Sequence, residues 1–418
     1  MARINLDISL TAKVWNKVNE YQHYSITKTH SLKKDKDGSG WHKICTIMDR
    51  LNDTVAYLNS LDVKENGSKL DVFSFYNFMN NSATLIDCVN YLAEIYEYDL
   101  CADNSKNDIF NSCGNTGKGT DKDYFEYLRA LCSVHPIKTS RHKEFQDSET
   151  AIECSPFVTY NEFGFIPKQE ADLVAVVYTD GKRHTTKYVG IKIETVFKYV
   201  KFRFELLTEI INQIEKYYDN IISDYSKIPL RDLSEFDGYC DYIDYIKEIY
   251  AERINTGRDE YFEFYKFVMK TSFKNAINQQ KLQKYQNAIK YSFTFLHKFL
   301  QQLPKEDNFE TTGLKKQPDN STGDSLLLEL QSGFYCDYRR QHSYPFEKLS
   351  CMWLQPRYMD MAPLLISEIE SFWQKYVCFE KEMKAIDISI LLQIAIYFYR
   401  LENDKEFSEN IPESSEYK

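Results

Sequence analysis

A chain of 418 residues with a formal charge of −10 exceeds the usual size of one hydrophobic core, and it is too acidic to coat nucleic acid or anionic membrane along its whole surface. With 43% hydrophobic and 15% aromatic residues against 14 Gly and 10 Pro, the composition suits packed, regular elements and excludes a disordered chain. No run of about 18 uncharged apolar residues exists, the start MARINLDISL lacks a signal-peptide stretch, and the ten cysteines contain no Cys-x-x-Cys pair. A cytoplasmic protein with reduced thiols and no membrane association is expected.

The pattern predicts a mainly α fold: a helical bundle with a small antiparallel β insertion and a C-terminal helical region. Ile44, Ile47, Met48, Leu51, Val55, Leu58 and Leu61 recur at helical spacing, as do Leu85, Val89, Leu92 and Ile95. Residues 101 to 120, rich in Asn, Ser and Gly, form an exposed loop. Thr120 and Asp123 make a capping box that starts a further helix, which Pro136 ends at His135. Together these segments give a first bundle over 1–150.

Across 151–194 the period changes. Phe157 to Tyr160, Leu173 to Thr179 and Thr185 to Ile193 are β-branched and aromatic, and Asp180-Gly181 carries a hairpin-turn signal. Helical spacing returns over 195–303, first in Phe204, Leu207, Ile210, Ile211, Ile214, Tyr217 and Ile221. Residues 304–323 are polar, with Pro and Gly, and read as the principal linker. The region 324–418 is helical again, and Ile388 to Tyr399 is apolar almost all round, as a buried helix or a dimer face would be.

Charge is uneven. Lys182, Arg183, Lys187, Lys192, Lys198, Lys201 and Arg203 stand against Glu194 alone, so a polyanion would meet the chain there. Arg339, Arg340 and His342 form a second basic cluster, read as a loop leading into the last helices. Gly114 to Thr120 lacks the spacing of a phosphate-binding loop, and no nucleophile elbow, zinc-protease helix or kinase signature is present.

The remaining constellation is Arg129 and His135, at the end of the helix that Thr120 starts. This Arg-x5-His arrangement resembles the signature of the HEPN superfamily, although Ala130 stands where a polar residue often follows the Arg. The resemblance implies a helical bundle over 1–150 that forms a homodimer and cleaves RNA without a metal or cofactor, in toxin or defence settings. Arg129 would stabilise the crowded phosphate and His135 would transfer the proton, with the 2′-hydroxyl of RNA as nucleophile. Arg141, His142 and Lys143 would hold neighbouring phosphates.

Two other readings come from the residues themselves. Cys132, His135, His142 and Cys154 are the residue types of a four-ligand zinc site, at a spacing that is not a standard one. In the other, Arg129 pairs with a carboxylate and the protein is a non-enzymatic helical binding or sensor module acting through a protein partner.

Overall fold

The computed structural model describes residues 3–21, 40–63, 72–134, 137, 142–146, 153–160, 170–179, 185–254, 259–303, 337–380 and 382–409. Among them the chain is mainly helical, with one three-stranded antiparallel sheet. It divides into two compact units, with the division near Asn220. The expected hairpin tip Asp180-Gly181 and the expected linker 304–323 lie outside the described residues.

In the first unit, α1 (Ile8–Asn19) begins at Asp7, whose carboxylate accepts the Ser9 amide at 2.9 Å. Its stripe of Leu10, Thr11, Val14 and Val18 is buried. Helix α2 (Gly40–Ser60) packs on α1, and Asn59 anchors the incoming chain by accepting the Leu6 amide at 2.8 Å and donating to the Leu6 carbonyl at 2.9 Å. Helix α3 (Val72–Ile95) buries Phe75, Phe78, Met79, Leu85, Val89 and Leu92 against its neighbours. It stops where Glu97 takes φ 58° and the Tyr98 amide reaches back to the Ala93 carbonyl at 2.8 Å, a left-handed helix ending.

The capping box forms as the sequence predicts. Asp123 donates its amide to Thr120 Oγ1 at 3.1 Å and its carboxylate accepts from the Thr120 hydroxyl at 2.8 Å, starting α4 (Asp121–Arg129). The helix does not run regularly to His135. It widens into a π turn over Ala130–Val134, which packs on α3 and on the sheet.

Strands β1 (Glu153–Tyr160), β2 (Leu173–Thr179) and β3 (Thr185–Ile191) pair in that order, with Thr179 opposite Thr185. Pro156 falls at the register shift between Cys154 and Phe157, in an edge strand, where its missing N–H breaks no regular ladder. Central β2 is buried from Leu173 through Val177, so it reads as a continuous apolar run because both faces are covered.

Helix α5 (Ile193–Glu205) follows at once. The stretch expected as one helix over Phe204 to Ile221 is interrupted at Leu206, beyond which α6 (Leu207–Ser226) begins. Arg203 is wholly buried and donates to Asn104 Oδ1 at 2.7 Å and Asn90 Oδ1 at 2.5 Å. It joins α5 to α3 and to the short turn Cys101–Asn104, so it is withdrawn from the expected basic surface.

In the second unit, α7 (Tyr239–Arg253), α8 (Asp259–Lys270) and α9 (Ala276–Gln302) pack together. Buried Asn278 bonds both backbone groups of Cys378, at 2.7 and 2.9 Å. Helix α10 (Ser343–Ser350) and α9 pack on α11 (Ala385–Asn403). Residues Ile388 and Ile390 to Leu392, with Ile394 to Tyr397, are buried there, the buried-helix outcome of the apolar run.

Thr120→Ala should lower the unfolding free energy by about 1 kcal/mol, whereas Thr120→Ser should change it little. Urea unfolding with an unchanged m value is the check.

Candidate functional site

Helix α4 carries the candidate site residues of the first unit. Its first residue, Asp121, is only 2% exposed. The carboxylate accepts three successive amides, those of Asp108 at 3.0 Å, Ile109 at 3.0 Å and Phe110 at 2.7 Å, while its own amide donates to the Lys106 carbonyl at 2.8 Å. A buried carboxylate tolerates this place because N–H dipoles replace its water. The loop over residues 101 to 120 is largely exposed, as expected, and its residues 108 to 110 are fastened to the start of α4. Its far side is strapped too: Glu144 accepts from the Thr116 amide at 2.7 Å and from its hydroxyl at 2.8 Å. Gly114, at φ +67°, lies so close to Glu144 that a Cβ would meet it at 2.5 Å.

Residues on α4 then separate by face, because each step along a helix turns about 100°. Glu126 and Arg129, three apart, share one face: Arg129 Nη1 lies 3.2 Å from Glu126 Oε2. Asp87 of α3 is close to both; burial raises its carboxyl pKa, Arg129 lowers it and Glu126 raises it. Arg129 stays 30% exposed, and its Nε is buried without a hydrogen-bond partner among the described residues.

Tyr127 is two residues from Arg129, about 200° away. It packs edge-on to His142 at 6.3 Å and against Phe145 at 5.6 Å, and Lys187 Nζ lies over its ring at 5.6 Å while donating to the Phe145 carbonyl at 2.8 Å. Lys143 is exposed, and its carbonyl accepts from Asn115 at 3.2 Å. Thus Arg129 sits with carboxylates and His142 sits with Tyr127 on a different face. His135 and Arg141 lie outside the described residues.

Of the zinc candidates, Cys132 is buried and its thiol is pushed up to about 12 by desolvation, which makes it an apolar core group at neutral pH. Cys154 Sγ donates to the Ile137 carbonyl at 2.7 Å. Among the described residues no group of three or more His, Cys, Asp or Glu is placed to hold a metal. In the other basic cluster, Arg340 pairs with Asp337 at 2.9 Å and His342 stacks on Tyr338 at 4.4 Å.

The third face of α4 carries Tyr124 and Leu128, four residues apart, and these wall a cleft of about 460 Å³. The opposite walls come from Ile109 to Asn111, the end of β3 at Gly190 and Ile191, and the first turn of α5 at Thr195 and Val196. Glu170, Ala171 and Lys192 complete the lining. Phe110 lies 5.1 Å from the Tyr124 ring and 5.4 Å from Tyr199, and burial raises the Tyr124 pKa. The amide of Ile193 is taken by Asp172 Oδ2 at 3.0 Å, which fixes the angle at which α5 leaves the sheet.

Sequence reasoning missed this cleft. Four segments spread from Ile109 to Val196 build it with no motif, and its only local signals were the Thr120 cap and the Tyr124–Leu128 spacing. Comparisons with protein-family models, curated proteins and solved structures find no match.

Asp121→Asn turns a donor group toward donors, so it should cost about 2 kcal/mol of stability, and Asp121→Ala about 3 kcal/mol; urea midpoints would show either. The Glu144 strap should depend on pH. Its carboxyl is held below the ordinary 4.5, chiefly by the Thr116 bonds. Its contribution is thus present above the unfolded value and lost as pH falls through the lowered one. Protection of the Thr116 amide against hydrogen exchange, corrected for the intrinsic rate, should be lost as pH falls through that lowered value.

Proposed function

We propose that the protein is a non-enzymatic sensor module that takes a small ligand in the α4 cleft and acts through a protein partner. The observation that carries this reading is the cleft itself. Its volume lies within the range of roughly 300–1,000 Å³ common for small-molecule sites, and its surface is mainly polar, with the rings of Phe110 and Tyr124 among its walls. Arg129 takes no part in its lining, and Glu126 with Asp87 nearby opposes the approach of a phosphate to that guanidinium. A structural Arg129 is what the binding reading requires.

A second reading has one observation in its favour. Arg129 keeps an exposed edge and directly precedes a π turn, a local widening often found at functional sites, from which the chain leads to His135. On that reading the chain is a HEPN-type homodimer that cleaves RNA without a metal, as a toxin or defence effector, with Arg129 and His135 at the phosphodiester. Arg141, His142 and Lys143 would then be its phosphate contacts. Both readings place the protein in the cytoplasm. That is supported by the absence of disulfides among the described cysteines and of any described helix long and apolar enough to cross a membrane.

The two are separated by incubating the purified full chain with single-stranded RNA in EDTA. The sensor reading expects no cleavage. Cleavage leaving a 2′,3′-cyclic phosphate, abolished in His135→Ala and reduced about 10²-fold or more in Arg129→Ala, would overturn it in favour of the nuclease.

A further inference from the structure

We infer that His297 is a proton-operated latch between α7 and α9: neutral, it accepts the buried hydroxyl of Tyr242, and protonated, it releases that hydroxyl and turns to Asp232. The two helices pack together in the second unit. The imidazole of His297 stacks on the Tyr242 ring at 6.1 Å and 18°, with Nδ1 3.0 Å from the hydroxyl oxygen. Tyr242 is only 4% exposed, and burial raises its phenol above the ordinary range, so the hydroxyl keeps its proton at neutral pH. Among the described residues that hydroxyl has no partner other than His297 Nδ1. A buried O–H needs an acceptor, which fixes the tautomer: Nδ1 carries the lone pair and Nε2 the hydrogen.

A proton taken from water onto Nδ1 turns this acceptor into a donor. The Tyr242 hydroxyl can then only receive, and its own hydrogen is left in the interior without a partner. The charges around the ring set where the imidazolium goes. Arg253, near the end of α7, is 2% exposed and repels it, whereas Asp232, on the exposed segment before α7, attracts it. Arg253 is itself held in the seam, donating to the Leu300 carbonyl at 2.7 Å. Elsewhere α9 meets its neighbours through rings, Phe293 with Phe262 and Tyr265 of α8 and Tyr285 with Tyr397 of α11. The cation therefore has a buried like charge to leave and an exposed opposite charge to approach. Gln301, one turn beyond His297, keeps the segment near by accepting the Leu230 amide at 2.7 Å and donating to the Ser226 carbonyl at 2.6 Å.

Burial holds the His297 imidazole below its ordinary 6.5. A proton is thus taken up more readily when the seam is open than when it is closed. The latch is fully engaged above the ordinary value, and its contribution is lost as pH falls through the lowered one.

The test is an NMR titration of the full chain with isotope-labelled histidine, with hydrogen exchange followed on the same samples. The His297 signal, assigned by its loss in His297→Gln, should titrate below 6.5. Protection of the α7 amides around Tyr242, corrected for the intrinsic rate, should fall below that pH by up to about tenfold per pH unit, the slope for one proton, and level off below the His297 midpoint. In His297→Gln, which keeps an acceptor and has no proton to gain, protection should stay level. Tyr242→Phe should raise the midpoint by about half a pH unit or more, since it removes a bond to the neutral form. Asp232→Asn should lower it by about as much, since it removes the partner of the charged form. Should His297→Gln fold poorly, the two midpoint shifts decide by themselves. A midpoint that falls in Tyr242→Phe would overturn the latch, because the hydroxyl would then have been accepting from Nδ1–H in both states. An unchanged midpoint in Asp232→Asn, or wild-type protection indifferent to pH, would overturn it as well.

Discussion

The first unit depends on one buried carboxylate. Asp121 gathers three consecutive amides of the preceding loop at 2.7–3.0 Å while standing at the first position of a helix. Both roles favour negative charge, since the start of a helix and a row of inward-pointing N–H groups present the same sign of dipole. No described cation pairs with it directly, so its stability in the interior comes from those dipoles. The loop cannot leave without exposing three donors and stranding the charge, each of which costs more than an ordinary hydrogen bond. A segment of Asn, Ser and Gly is thereby converted into a wall firm enough to present Phe110 to the cleft.

The same helix shows why a motif counted along the chain and a site assembled in space can part company. Residues 124 and 128 face the cleft, 126 and 129 face Asp87, and 127 faces the His142 turn. Arg129, followed by a His at a fixed interval, is a statement about sequence. What decides its chemistry is the set of charges on its own face, and there a carboxylate occupies the guanidinium. Arg129 has enough exposed surface to remain a contact residue, but its nearest electrostatic neighbours are negative.

Much of the fold was legible because it rests on local physics. The Thr120–Asp123 box, the three β-branched strands with the short connection after Thr179, and the apolar run at Ile388 each follow from bonds or periodicity within a few residues. What escaped is non-local. Arg203 looks like surface charge in a basic stretch, yet its partners Asn90 and Asn104 lie about a hundred residues away in sequence. The break at Leu206 and the division near Asn220 interrupt no hydrophobic period, so nothing in the pattern marks them. The cleft joins backbone and side chains from four segments, and no spacing rule links them.

Buried cations extend the argument from structure to behaviour. Arg203 in the first unit is met by two amide oxygens, and Arg253 in the second donates to the Leu300 carbonyl at 2.7 Å beside the ring of Tyr225, its pKa lowered chiefly by burial. In each case the charge is received by neutral dipoles whose positions are set by several elements at once. A partial opening that moved one of those elements would leave a charge in the interior with too few partners, which is far less favourable than either the closed state or full exposure. Such groups penalise intermediates more than they stabilise the native state, and so each makes its own unit open as a whole. For the cleft this has a direct consequence. Its walls are tied to Asp121 and, through Tyr199 on α5, to the helix that Arg203 anchors, so they resist local opening. By contrast the pair of Lys192 and Glu170 at the rim, 3.7 Å apart and largely exposed, adds little to that resistance.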